Sequence, residues 1–83
     1  MPRYYFHLFN QLDARDEEGR ELADQNAATA AAAADIRSIL SEDVKLGMLD
    51  LRGRIEIADE TDTVVGTVHF IDSAQLILPD DIE

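Results

Sequence analysis

Hydrophobic and polar positions alternate in three places along the chain and recur at helical spacing in one. Residues 3–9, Arg-Tyr-Tyr-Phe-His-Leu-Phe, are dense in aromatic side chains, which suit a pleated, half-buried surface, and so predict a first strand. Alternation places Tyr4, Phe6 and Leu8 on its core face and Tyr5, His7 and Phe9 on the other. Arg54-Ile55-Glu56-Ile57-Ala58-Asp59 alternates cleanly, with Ile55 and Ile57 inward. Glu60-Thr61-Asp62 then turns the chain, and Thr63–Ile71 returns as its hairpin partner. The returning strand reads Val64, Gly66, Val68 and Phe70 toward the core and Thr63, Val65, Thr67, His69 and Ile71 away from it. Gly66, with no side chain to pack, marks a bulge or a close approach.

Between these strands the period changes. Asp24 is placed to cap a helix over 25–46, and Gly47 stands just past its end, where a left-handed residue is favoured. Ile36, Ile39, Leu40 and Val44 recur at helical spacing, and the stripe continues backward through Ala28, Thr29, Ala32 and Ala33. The alanine run Ala30–Ala34 raises helix propensity and permits close approach to the chain's own sheet or to a second copy of the helix. Residues 10–19 are polar, and Asp16-Glu17-Glu18-Gly19 predicts a turn in which Gly19 takes positive φ. A short second strand flanks it, with Leu12 and Leu22 supplying its apolar contacts.

These elements predict an α+β fold: a small antiparallel sheet in β-β-α-β-β order with one long helix packed on one face, in one domain over residues 1–83. The runner-up keeps the elements and exchanges strand or helix contacts between two chains. Residues 72–83 form an acidic tail, carrying Leu76, Ile77 and Leu78, that packs over the sheet or frays.

Composition narrows the function classes. Eleven of the apolar residues are Ala, so the remaining ones build a single layer of packing with little surplus stability. There is no Cys, which removes disulfides, thiolate nucleophiles and thiolate metal sites together. Seven Lys+Arg against eighteen Asp+Glu give a net charge of −11, unsuited to phosphate backbones, whose binding depends on cationic side chains releasing counterions. The imbalance concentrates in residues 55–83, which hold no base. No apolar run approaches the length of a membrane span. The expectation is a cytoplasmic protein that binds neither nucleic acid nor membrane, and solubility is the plain reading of its charge.

Candidate chemistry is sparse. His7 and His69 both fall on outward faces of strands, and with Glu56 a two-histidine, one-carboxylate metal site is drawable if the first and last strands pair. Without local ligand spacing, the preferred reading is of histidines that pack or hydrogen-bond in the sheet, and no metal or other cofactor is assigned. Ser38, Ser41 and Ser73 show no nucleophile setting, and no catalytic residue is assigned. The carboxylates of Asp16, Glu17, Glu18, Asp59, Glu60 and Asp62 lie in turns, where solvated carboxylates are the norm. Tyr5, His7 and Phe9 match RNA-stacking platforms in residue type, but the charge opposes that use.

Pro2-Arg3-Tyr4-Tyr5-Phe6-His7, Asp16-Glu17-Glu18-Gly19 with Glu21-Leu22, and Gly53-Arg54-Ile55-Glu56-Ile57 with Asp59-Glu60 together resemble a family of short bacterial domains of unknown function, over nearly the whole chain to about Asp72. The resemblance implies a small stand-alone bacterial protein and supplies no activity, cofactor or catalytic residue. The chain departs from the family pattern at Asn10-Gln11, where a glycine turn is usual, and at Ala23, where proline is common; both changes bear on loop geometry.

The leading functional expectation is therefore a non-enzymatic protein-interaction domain acting as a homodimer through Tyr5, His7, Phe9, Val65, His69 and Ile71, a face too apolar to stand in open water. Two other classes are kept: a metal-dependent enzyme or metal sensor on His7, His69 and Glu56, and an antitoxin-like acidic surface for a basic protein partner.

Overall fold

A computed structural model describes residues 1–80. Its elements follow the order strand β1 (Arg3–Phe9), strand β2 (Arg20–Glu21), helix α1 (Gln25–Lys45), strand β3 (Arg54–Ala58) and strand β4 (Val64–His69), closed by a 3-10 turn at Phe70–Asp72. The strands form one antiparallel sheet in the order β2-β1-β3-β4, with α1 across one face. This is the α+β architecture expected from the alternation. β3 separates β1 from β4, so the first and last strands do not pair.

The helix boundaries have local causes. The Asp24 carboxylate accepts the Ala27 N–H at 2.9 Å, satisfying one of the donors that a helix start leaves open. At the other end Gly47 takes φ +90°, its N–H donating to the Val44 carbonyl and the Met48 N–H to the Asp43 carbonyl. This pair of bonds is a Schellman cap, which needs a left-handed residue where Gly47 stands. Ala28, Ala32, Ile36 and Leu40 lie in one row four residues apart and are buried against Tyr4, Phe6, Ile55, Ile57, Val68 and Phe70. The alanine run therefore packs on the chain's own sheet, and the small side chains bring the helix axis close to it. Thr29, assigned to the stripe from its spacing, is exposed.

Val44 continues that row but is 56% exposed. A helix of 21 residues is about 31 Å long, whereas the five residues of β3 reach only about 17 Å. The last turns of α1 consequently overhang the sheet.

Two face assignments need correction. The ladder between β3 and β4 shifts register at Ile57/Ala58, with Ile57 opposite Gly66 and Ala58 opposite Val64. Val65 is the extra residue of this bulge, and it packs against the core, while Val64, expected inward, is half exposed. An inserted residue breaks strict alternation, so every position before it changes face. Gly66 sits at the bulge as expected, but not at a close approach: a Cβ there would meet only Ile57 Cδ1, at 3.8 Å. The close approach is at Gly53, where a Cβ would lie 2.9 Å from the Phe70 ring.

The second strand is also held differently. Leu22 packs on the core, but Leu12 is 80% exposed, and the loop is instead fastened by paired bonds between Leu8 and Ala14. Beyond buried Ser73, residues 74–80 are exposed throughout. The radius of gyration is 14.2 Å, against roughly 12 Å for a compact chain of this length. The tail thus does not cover the outer sheet face over 74–80, and the rest of it, residues 81–83, lies outside the described residues.

Candidate functional site

The face of the sheet opposite α1 carries Tyr5, His7 and Phe9 from β1, Arg54, Glu56 and Ala58 from β3, and Val64, Thr67 and His69 from β4. His7 is 6% exposed. It is covered by the segment after Ala14 and by the β3–β4 turn, not by the tail. The Asp16 N–H donates to His7 Nδ1 at 3.1 Å. Asp62 Oδ1 stands 3.9 Å from His7 Nε2 and accepts from Arg15 at 2.9 Å. His7 Nε2 is buried without a hydrogen-bond partner.

That arrangement decides the chemistry of the ring. A nitrogen that accepts an N–H is unprotonated, so neutral His7 carries its proton on Nε2. Nε2 is then a donor facing a carboxylate, and not a metal ligand. His69 is exposed and lies across β3, two residues along the ladder, on the order of 12 Å away by strand spacing and rise. Glu56 accepts from Arg54 Nε at 3.1 Å, and that guanidinium stacks on Phe9 at 4.4 Å. His7 and Glu56 stand opposite each other across β1 and β3, but His69 does not join them, and among the described residues no three His, Asp or Glu side chains are grouped to hold a metal ion.

Asp16 and Asp59, expected as merely solvated turn carboxylates, organise their turns. Burial raises the Asp16 pKa, but the N–H groups of Phe6, Gly19 and Glu18, at 3.0 to 3.1 Å, outweigh it and hold the carboxyl below its ordinary value. Gly19 takes φ +69° beside it, as the turn predicted. Asp59 is likewise lowered, first by the Thr61 hydroxyl and then by the Thr63 and Thr61 amides. The Asp16-x-x-Gly19 spacing, read as an aspartate accepting from amides two and three residues on, carries the signal that finds the first of these.

The expected interaction residues do not form one surface. Tyr5 and Phe9 are half-buried, Val65 packs toward the helix side, and Ile71 lies in the 3-10 turn at the far end of the core. Of the serines, Ser73 donates its hydroxyl to the Phe70 carbonyl at 2.8 Å. Ser38 and Ser41 lie exposed on α1.

A cleft of about 910 Å³ opens beside the 10–14 loop. Its Asp50 is bonded to Arg52 and Gln11 and held far below the usual carboxylate range, chiefly by Arg52. Those two charges satisfy each other. A second recess, about 430 Å³, lies under the overhanging end of α1, between the helix, the connector and the start of the tail. Leu40, Val44, Leu49, Leu51, Phe70, Ile71 and Leu76 line it, and its charged members are Arg37 and Lys45, with no acid. Arg37 donates to the Ser73 carbonyl at 2.9 Å and anchors the tail where it leaves the core. Val44, Leu46, Met48, Leu49, Ile71, Leu76, Ile77 and Leu78, all exposed, belong to the elements around this end of the molecule. Sequence periodicity missed the recess because it places Val44 on a core face without knowing where the sheet stops.

With strand order, helix placement and both recesses established, the chain proves to be a family member: residues 3–71 match the domain of unknown function DUF6894, and the chain belongs to that family. No curated protein and no solved structure matches it.

Proposed function

We propose that this protein is a non-enzymatic protein-interaction module that works as a homodimer. The observation that carries this reading is the apolar recess beneath the overhanging end of α1. Half-exposed Val44, Leu49 and Ile71 share it, and exposed apolar groups gathered in one place, unlike single exposed side chains, mark a contact surface. The candidate chemical groups meanwhile have structural employment: His7 and Asp16 hold a loop to β1, and Asp59 builds a turn.

The reading places the interaction at the end of the helix and not on the outer sheet face. Capture from the source cell by immobilised wild-type protein and by Leu49→Asp tests it. The expected result is that proteins retained by the wild type, further copies of this chain among them, are lost with the variant. Identical retention by both defeats the reading.

A further inference from the structure

Resting on that interaction reading, the geometry points to one occupant for the recess: we propose that it receives the tail segment Leu76–Asp80 of a second copy, while the second copy's recess receives the first copy's tail. Each copy carries both halves of the contact. Such an exchange is reciprocal about a two-fold axis and closes at two chains.

The tail has the matching character. Leu76, Ile77 and Leu78 are 52%, 77% and 59% exposed; Leu76 stands at the edge of the chain's own recess, and Ile77 and Leu78 follow it. Seven residues follow Ser73 up to Asp80, enough to span about 23 Å when extended, so the segment can cross to a neighbour while Ser73 stays anchored by Arg37. Pro79 opposes continuation as a helix and favours an extended arrival.

Charge selects the same occupant. Two bodies of −11 each repel, and most pairings of their surfaces set acid against acid. The recess is an exception, lined by Arg37 and by Lys45, which also bonds Glu42 at 3.0 Å outside the lining, and the segment following Leu78 is Pro79-Asp80-Asp81. An apolar stretch ending in carboxylates complements an apolar recess edged by cations. Covering the three apolar side chains on both copies, with the walls they press on, buries on the order of 1,500 Å², within the range of specific protein interfaces.

Complementation in sedimentation equilibrium tests the exchange, using the full chain with Leu49→Asp in the recess and Ile77→Asp in the tail. Wild type is expected to dimerise, and each variant alone to associate at least tenfold more weakly. An equimolar mixture of the two is expected to associate more tightly than either alone, because it retains one intact recess facing one intact tail. Val44→Asp replaces Leu49→Asp if circular dichroism shows the latter unfolded. A monomeric wild type, a dimer indifferent to Ile77→Asp, or a mixture no tighter than its components each overturns tail exchange. If wild type is monomeric yet its captured proteins are lost with Leu49→Asp, the exchange and the homodimer both fall, and the recess stands as a contact surface for a different protein. If capture is also unchanged, both fall.

Discussion

The main-chain N–H of Asp16 donates to Nδ1 of His7 across 3.1 Å, and this one bond settles which ring nitrogen of a buried histidine holds the proton. The carboxylate of Asp16 turns the other way, accepting the N–H of Phe6 from the strand that carries His7. One residue thereby uses main chain and side chain to lock a polar loop along β1. The expected consequence is that neutral His7 is the Nε2–H tautomer. Long-range nitrogen–proton correlation spectra of the neutral ring check it. A protonated Nδ1 would contradict the assigned bond.

Asp16 also makes a pH prediction. Its pKa is lowered in the folded protein, so its contribution is fully present above the unfolded value of about 3.9 and is lost as pH falls through the lower folded value. Hydrogen bonds to a charged acceptor exceed neutral ones, so Asp16→Asn should cost about 1 to 2 kcal/mol at pH 7. Urea denaturation across pH 2 to 7 should show that difference shrinking at the acid end. A gap independent of pH would mean that the charge of Asp16 is not what holds the turn.

Ala32 is fully buried and Ala30 exposed on the same helix. Ala32→Leu forces a larger group between α1 and its own sheet and should cost about 1 to 3 kcal/mol. Ala30→Leu should stay within about 0.5 kcal/mol of wild type. Paired denaturant curves measure both; equal effects would mean that the alanine row does not face the sheet.

The bulge predicts an asymmetry between neighbours of identical type. Val65 packs on the core and Val64 does not. Val65→Asp should cost about 2 to 3 kcal/mol, and Val64→Asp less than about 1. The reverse order would restore unbroken alternation along β4.

That pair also shows where reading by pattern stops. The helix was legible because Asp24 and Gly47 bracket a clear stripe, and the strands because Ile55/Ile57 and the aromatic run alternate. Alternation presumes an uninterrupted ladder, however, and although Gly66 marks the bulge, nothing about Val64 or Val65 says which of them is the extra residue. Strand order was hidden because the pairing of β1 with β3 joins residues about fifty positions apart, beyond any local period. The function of Asp16 was missed for a different reason: composition treats a turn carboxylate as solvated, whereas its acceptors are committed to backbone donors. The recess beneath α1 was legible only from the mismatch of element lengths.

The placement of β1 in the sheet interior has a consequence for how the fold is reached. Tyr5 pairs with Ala58 and Phe9 with Arg54, so the strand that comes first in the chain waits for one that comes late. The helix and the β3–β4 hairpin can form from neighbouring residues, but the central ladder closes only after about fifty intervening residues are ordered or tethered, a non-local step that slows folding. On a ribosome, Arg3–Phe9 emerges early and finds its main partner late. Until then an aromatic strand without an acidic residue has both edges open, and the short Arg20–Glu21 ladder with the Leu8–Ala14 bonds is the cover within reach of it.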